Sequence, residues 1–249
     1  MGSTRTMSLL MEPPGDTPTA KGAVRIEEPT RAERQIGRRA AESRATVPEL
    51  ELSTIVDMSA TVAARLELRA VGDAQSVPSL TAVVARACAL ALREFPRANG
   101  SYRDGHFELY ARVNVSVAMM IGASVAAPTI FDADTKTALE ISGELRSLGA
   151  SVGAGAITSP ELAGATFTMS NLGVLGVSSF SPPVPPPQAA ILAVGAARAV
   201  PVLRGGDIVA GHEMNLTLTC DHRILYGTDA AEFLERIRTL LERPQELLS

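Results

Sequence analysis

One apolar segment limits the possible folds of this chain more than any other feature. Residues 78–95 read PSLTAVVARACALALREF, with apolar side chains over most of the surface that a helix would present. Ser79 is placed to serve as N-cap, and Phe95-Pro96 to end the helix, because the residue before a proline disfavours the helical conformation. A helix that is apolar on several sides needs other elements packed against those sides. We therefore expect a helix that is buried on several sides.

Predicted strands and helices alternate irregularly along the rest of the chain. The expected strands lie at 49–59, within 100–132, before and up to Ser170-Asn171, at 189–194 and at 216–220. Hairpins are expected at Asp104-Gly105 and Gly205-Gly206, and a turn near Gly122. The other expected helices lie at 28–44, from an N-cap at Ser59 to Arg69, at 134–149 (inward residues Ala138, Leu139, Ile141, Leu145, Leu148) and at 228–241 (inward residues Ala231, Phe233, Leu234, Ile237, Leu241). Several hairpins among alternating elements favour an α/β sandwich with a mixed β-sheet over a doubly wound parallel sheet.

Composition and charge argue against several classes of function. The 249 residues are 46% hydrophobic, enough for a full-sized core. The 23 basic and 27 acidic side chains form no basic block, which argues against nucleic acid as a partner. No run of 18 apolar residues indicates a membrane span and no signal peptide is evident, so a cytoplasmic protein is expected. Residues 1–27, rich in Pro, Gly, Thr and Ser, are predicted to be a flexible tail ahead of a folded domain at 28–249.

Two cysteines, Cys88 and Cys220, are too few for a disulfide framework or a metal site. Both lie in apolar periodic segments, where a small buried hydrophobic side chain is expected. The sequence therefore predicts no metal and two buried thiols.

The segment LTLTCDHRILYG, residues 216–227, contains the first candidate for chemistry. Residues 216–220 alternate as in a half-buried strand, which then runs into Asp221, His222 and Arg223. A neutral imidazole near pH 7 is a natural general base, although a structural histidine held by a carbonyl is the alternative. Arg223 is expected to be a buried ion-pair partner rather than a substrate clamp, and Asp221 to orient a neighbour or cap the loop.

The segment TFTMSNLGVLG, residues 166–176, contains the second candidate. Ser170 closes a predicted strand, and the glycines at 173 and 176 allow the backbone to approach another group closely. The Ser170 hydroxyl could donate to a developing oxyanion, or Ser170 and Asn171 could form an ordinary turn. No GxSxG elbow, P-loop, GxGxxG or Cys-His metal pattern competes for the function.

These segments together resemble the catalytic domain of the dihydrolipoamide acyltransferases, the core subunits of 2-oxo-acid dehydrogenase complexes. The resemblance rests on ATFTMSNLGVLGVSSFSPPVPPPQAAILAVG and MNLTLTCDHRILYG, and continues upstream through residues 28–249. It implies the chloramphenicol acetyltransferase-like fold and a homotrimer with each site between two subunits. One subunit would supply His222 as base and the other Ser170 as oxyanion donor, with coenzyme A (or acyl-CoA) and dihydrolipoamide as substrates.

The chain departs from the family pattern at three places. Tyr226 stands where the family has Asp or Asn, Pro185 where it has Asn, and residues 121–124 replace a Thr-Pro-x-Gly hairpin. A phenol cannot replace a carboxylate beside an arginine, so a different ion-pair network is expected. Altered substrate choice and lost activity are both open.

The resemblance also carries expectations about partners. The sequence shows neither a lipoyl domain nor a subunit-binding domain ahead of the core, so the lipoyl group would come from another chain, and dehydrogenase subunits would be further partners. The trimers are expected to assemble into a larger cage. The alternatives are a catalytically weak scaffold subunit of a multimeric shell and an acyltransferase with another small-molecule acceptor. The leucines of the C-terminal PQELLS would either contact another trimer or pack on their own domain.

Overall fold

A computed structural model describes residues 20, 22, 25–73, 75–121 and 124–248. The chain divides into two compact units after Ile36. In the first unit, the Thr30 amide donates to the Glu33 carboxylate at 2.7 Å, and the Glu33 amide donates to the Thr30 hydroxyl at 3.2 Å. These two bonds cap the start of the first helix. Most of the predicted tail, and the predicted turn at Gly122, lie outside the described residues.

The elements follow in an order close to the prediction. The helices are α1 (Arg31–Thr46), α2 (Ser59–Val71), α3 (Leu80–Glu94), α4 (Ala138–Gly153), α5 (Gly227–Glu242) and α6 (Gln245–Leu248). The strands are β1 (Glu49–Asp57), β2 (Gly100–Arg103), β3 (His106–Leu109), β4 (Val115–Ile121), β5 (Ser124–Ala126), β6 (Thr129–Ile130), β7 (Phe167–Asn171), β8 (Ala190–Val194), β9 (Arg198–Arg204) and β10 (Asp207–Asp221). Single 3₁₀ turns lie at Ala133–Thr135, Pro160–Leu162 and Gly173–Leu175. None of the described helices is long and apolar enough to cross a membrane.

The main sheet is mixed, as predicted. Its strand order is β1-β10-β8-β7-β4-β5, with β6 also paired to β4 and β9 to β10. The pairs β4–β7 and β7–β8 are parallel and the remaining pairs are antiparallel. The hairpin of β2 and β3 stands apart and turns at Asp104-Gly105, where both residues have positive φ.

Helix α3 lies in the core, which confirms the prediction from its apolar sequence. Nine of its fifteen residues are buried, and it packs against α4 and α5. Its Ser79 cap is also confirmed, since the Ala82 amide donates to the Ser79 hydroxyl at 3.2 Å. At one end of the core, the ring of Phe233 meets those of Phe95 and Phe167 edge-on. The interior therefore has small side chains along α3 and aromatic rings at this end.

The prediction that residues 216–220 form a half-buried strand is wrong, because both faces of β10 are covered there. Leu216, Leu218 and Cys220 lie in the core, but Thr217 and Thr219 on the opposite face are also only 3% and 1% exposed. Thr217 shares a hydrogen bond with Ser53 of β1 at 2.9 Å. The proline-rich segment after β7 covers Thr219, whose hydroxyl lies 3.3 Å from that of Ser181.

The predicted Ser59 cap is also wrong. Helix α2 begins at Ser59 itself, and the preceding residue, Met58, makes no capping hydrogen bond with its side chain. The Ser59 hydroxyl instead accepts a hydrogen bond from the backbone amide of His212 at 3.0 Å. The serine therefore joins α2 to β10, a partner 153 positions away that local sequence does not reveal.

Helix α4 begins four residues later than predicted, at Ala138. Thr137 and Glu140 form a capping box, in which each side chain accepts a bond from the other's backbone amide. The rotation of the helix also leaves Leu139 41% exposed rather than inward.

The C-terminal helices α5 and α6 can also be compared with the prediction. In α5 the inward alanine is Ala230, whereas Ala231 is exposed. In α6, Leu247 is 1% exposed and belongs to the core, and Leu248 packs against it half-buried. Of the two interpretations of the C-terminal leucines, the structure favours packing on their own domain.

Candidate active site

Ser170 lies one residue before the end of β7, in the middle of the sheet. It is paired with Ala118 of β4 on one side and Ala193 of β8 on the other. Because both neighbours are alanines, little side-chain volume surrounds the hydroxyl, and Ser170 is half-buried. The sheet thus presents one hydroxyl at a rigid position.

Asn171 fixes the turn that follows this serine. Its side-chain amide donates to the Thr81 hydroxyl at the start of α3 at 2.9 Å, and its side-chain oxygen accepts from the Gly173 amide at 2.9 Å. One side chain therefore connects the end of β7 to both the core helix and the next turn. The interpretation of Ser170 and Asn171 as an ordinary local turn misses this long-range connection.

The Asp221–Arg223 pair shapes the loop that carries His222. Arg223 binds the Asp221 carboxylate through Nε at 2.9 Å and through Nη2 at 2.7 Å, and its backbone amide donates to the same carboxylate at 3.0 Å. The hydrogen bond to Asp221 raises the pKa of Arg223 above its ordinary value. Arg223 also lies 4.6 Å over the ring of Tyr102. Arg223 is an ion-pair partner as predicted, but it is half-exposed rather than buried. Asp221 fits both of its expected roles, because it binds the neighbouring guanidinium and also accepts from a backbone amide of the loop.

His222 leaves β10 at the surface. Its backbone amide donates to the Pro48 carbonyl at 3.0 Å, and the residue itself is exposed. The Tyr226 ring lies 6.1 Å from the imidazole, centre to centre, with an angle of 85° between the planes. The hydrogen bonds within the described part of the chain do not involve the imidazole.

A cavity of about 450 Å³ opens beside this loop. Asp221 and Arg223 line it together with Tyr102, Arg103 and Gln188. This volume is within the range of small-molecule sites. A ligand there would lie next to the residues that flank His222.

Ser170 and His222 do not meet within one chain. The register places Ser170 level with Ala193 and, through it, with Thr217 of β10, whereas His222 lies five positions farther along. Two strand spacings and five residues of strand separate the two by roughly 20 Å. A hydrogen bond spans about 3 Å, so the side chains of Ser170 and His222 do not share one site within the described chain.

The two cysteines lie buried within the described structure. Burial raises the pKa of the Cys88 thiol well above its usual range, and burial with the charge of Asp221 raises that of Cys220 to about 12. Both predicted buried thiols are confirmed. Among the described residues, no group of three or more His, Cys, Asp or Glu is arranged to hold a metal ion.

Sequence reasoning missed three residues around the site. Thr81 holds Asn171, Tyr102 stacks on Arg223, and Arg97 stacks on Tyr226. Each comes from an element distant in sequence from its partner. Nothing in the local pattern at these positions marked them.

Solved structures of similar shape place the architecture in a known class. Chloramphenicol acetyltransferase superposes with a TM-score of 0.54 over 82% of this chain and 94% of that one, at 18% identity, which shows the shared fold alone. Dihydrolipoamide acetyltransferase of Azotobacter vinelandii superposes with a TM-score of 0.85 at 28% identity, over 96% of this chain and 100% of that one. The fold is the chloramphenicol acetyltransferase-like sandwich, as predicted.

Sequence comparison then identifies the family. The chain belongs to the 2-oxoacid dehydrogenases acyltransferase (catalytic domain) family, whose model matches residues 22–249. The dihydrolipoyllysine-residue acetyltransferase component of pyruvate dehydrogenase complex from Rhizobium meliloti is 34% identical over 218 residues, 86% of this chain and 49% of that protein. The corresponding component from Zymomonas mobilis is 30% identical over 244 residues, 95% of this chain and 56% of that protein. The chain spans about half the length of the curated relatives it matches.

The Azotobacter enzyme offers a direct comparison of spacing. The residues investigated there for a role in catalysis are a serine, a histidine 52 positions later and an asparagine four positions beyond the histidine. Ser170 and His222 are likewise 52 positions apart, and Tyr226 follows His222 by four. Tyr226 therefore stands where that enzyme has asparagine.

Proposed function

We propose that this protein is an acyltransferase that moves an acyl group between a dihydrolipoyl thiol and coenzyme A. The observation that carries this proposal is the serine–histidine pair at two strand ends, with the same 52-residue spacing as in the Azotobacter enzyme. The family match over residues 22–249 supports the reaction class.

In the proposed reaction, His222 is the general base. The imidazole takes the proton of the attacking thiol, and the thiolate forms a bond to the carbonyl carbon of the acyl thioester. The tetrahedral intermediate then expels the other thiolate, which recovers the proton from the imidazolium. Proton transfer of this kind typically contributes about 10²–10⁴-fold to the rate. The exposed imidazole, free of hydrogen bonds within the described chain, suits this exchange.

Ser170 is the proposed donor to the oxyanion of that intermediate. A hydroxyl held in the middle of a sheet and tied to α3 through Asn171 is preorganised, so little reorganisation is needed as charge develops. Loss of one such donor costs on the order of 10²–10³-fold in kcat.

We further propose that each site forms between two neighbouring chains of a homotrimer. The separation of roughly 20 Å between the two residues in one chain supports this arrangement, since strand order and register keep them apart. The similarity to the cubic core of the pyruvate dehydrogenase multienzyme complex, with a TM-score of 0.84 at 27% identity, supports further assembly of trimers into a cage.

The test is transfer from acetyl-CoA to free dihydrolipoamide, measured as acetyl-dihydrolipoamide formed by the purified protein. His222→Ala and Ser170→Ala should lower kcat by about 10²–10⁴-fold and 10²–10³-fold respectively. His212→Ala and Ser178→Ala are matched controls, because their side chains make no hydrogen bond in the described chain and lie outside the proposed site. Full activity in His222→Ala would contradict the mechanism.

Mixed trimers test the shared site. When the two inactive variants are co-refolded in equal amounts, about a quarter of the interfaces should combine an intact histidine with an intact serine. Activity should therefore return in the mixture. A site within one chain would give no recovery.

The alternative function is a catalytically weak scaffold, and the observation that favours it is Tyr226 in the position of the asparagine. A well-folded trimer that transfers no acyl group from any of several acyl-CoAs would support the scaffold. Activity with another small acceptor but not with dihydrolipoamide would instead indicate an acyltransferase with a different small-molecule acceptor.

A further inference from the structure

We propose that Tyr226, which packs against Arg97, is the positioning residue for the His222 imidazole, through its ring rather than its hydroxyl. This inference rests on the proposed function, because it concerns the base of that reaction. The Azotobacter enzyme has an asparagine at the corresponding spacing from its histidine, and here an aromatic ring takes that place beside the imidazole.

Arg97 places a cation between two aromatic rings. The Arg97 guanidinium lies 5.5 Å from the centre of the Tyr226 ring and 5.3 Å from that of Phe107. Both distances are within the range of cation–π attraction, about 6 Å. The Asp229 carboxylate, 3.3 Å from Arg97, fixes the guanidinium from α5. Phe107 of β3 and Asp229 of α5 thus hold the Arg97 guanidinium where it lies over the Tyr226 ring.

That ring is in turn the neighbour of the proposed base. Its centre lies 6.1 Å from the His222 ring with the planes at 85°, an edge-to-face arrangement in the favourable range for aromatic pairs. Because the imidazole makes no hydrogen bond within the described chain, this contact is its orienting interaction there. A base that is held only by its backbone would sample several ring orientations.

The hydroxyl of Tyr226 does not take part. It makes no hydrogen bond with the described residues, and the residue is 45% exposed. A phenylalanine preserves both ring contacts, whereas an alanine removes both. This difference separates positioning by the ring from any role of the phenol.

The first test is the NMR spectrum of the histidine rings in the full chain. Only three histidines are present, so His222→Ala identifies the His222 signal. Tyr226→Ala and Arg97→Met should each move that signal while the His212 signal stays in place, and Tyr226→Phe should leave the His222 signal near its original position.

The matched control is Arg112→Met. Arg112 also lies over a ring, 5.8 Å from the centre of Phe131, and also pairs with a carboxylate, at 2.5 Å from Asp132, but neither group contacts His222. This variant should not move the His222 signal. A His222 signal that is unmoved in folded Tyr226→Ala, or moved equally by Arg112→Met, would overturn the inference.

The second test is kinetic. Misplacing a reacting group by about 1 Å can cost about 10²-fold, so Tyr226→Ala should lower kcat by about 10- to 10²-fold with little change in KM. Tyr226→Phe should recover most of that loss, and equal losses in the two variants would overturn the role of the ring. If the unmodified protein transfers no acyl group, the proposed function fails, while the NMR comparison still decides whether Tyr226 orients His222.

Discussion

Gly173, in the turn that follows Ser170, meets Gly195 backbone to backbone. A Cβ atom built on Gly173 would lie 2.2 Å from the Gly195 carbonyl oxygen, and one built on Gly195 would lie 2.1 Å from the Ser178 carbonyl oxygen. Contacts of that length are not possible, so neither position accepts a side chain without a shift of the backbone. The turn after the serine is therefore packed against the end of β8.

Gly173→Ala should consequently displace this turn. Since the Gly173 amide donates to Asn171, whose neighbour is Ser170, the displacement should reach the proposed oxyanion donor. We expect lower kcat and a lower melting temperature than in the unmodified protein. Gly176→Ala is a matched comparison, because nothing lies within 4 Å of its Cβ position, although its positive φ adds local strain. Equal kcat in Gly173→Ala and the unmodified protein would contradict this expectation.

The bond between Asn171 and Thr81 is expected to couple the serine strand to the core helix. Thr81→Val and Asn171→Ala should each lower kcat and the free energy of unfolding, and the loss in stability should be of the order of one hydrogen bond, about 0.5–1.5 kcal/mol. In a double-mutant cycle the second substitution should cost less than it does alone, because the shared bond is already lost. Simple additivity would show that the two side chains act independently.

The Asp221–Arg223 pair is expected to stabilise the loop that carries His222. Asp221→Asn keeps the side-chain volume but removes the negative charge that Nε and Nη2 of Arg223 bind. This substitution should lower the free energy of unfolding by about 1–3 kcal/mol. Urea unfolding measures this change. Arg223→Lys should also destabilise the protein, since a single ammonium cannot make the bidentate contact. Unchanged stability in both variants would show that the pair contributes nothing measurable.

The two thiols should be unreactive in the folded protein. The pKa of each is raised by burial above the ordinary 9.0, so at pH near 8 little thiolate exists for a thiol reagent. Both should react once the chain is unfolded in urea. Because the pKa of the Cys220 thiol is higher in the folded than in the unfolded chain, only the unfolded chain loses this proton just above pH 9.0. The free energy of unfolding should therefore fall as the pH rises from 9.0 toward 12. Rapid modification of the native protein would contradict the burial of both groups.

The sequence by itself determined most of the elements and their type. The apolar run of α3 predicted a buried helix because an all-round apolar surface has no other stable location, and the hairpins at Asp104-Gly105 and Gly205-Gly206 followed from turn chemistry. The residues Ser170 and His222 were also singled out from local pattern, as polar groups at strand ends. These features depend on neighbours a few positions away.

The tertiary structure alone decided what those residues touch. Ser59 accepts a hydrogen bond from β10 instead of capping α2, and Asn171 donates one to Thr81 of α3. The Tyr226 ring makes a cation–π contact with Arg97. The tertiary structure also decided that Ser170 and His222 lie roughly 20 Å apart in one chain, because strand order and register set that distance. Pairings across 90 or more positions depend on the packing of the whole core, and local propensity carries no record of them.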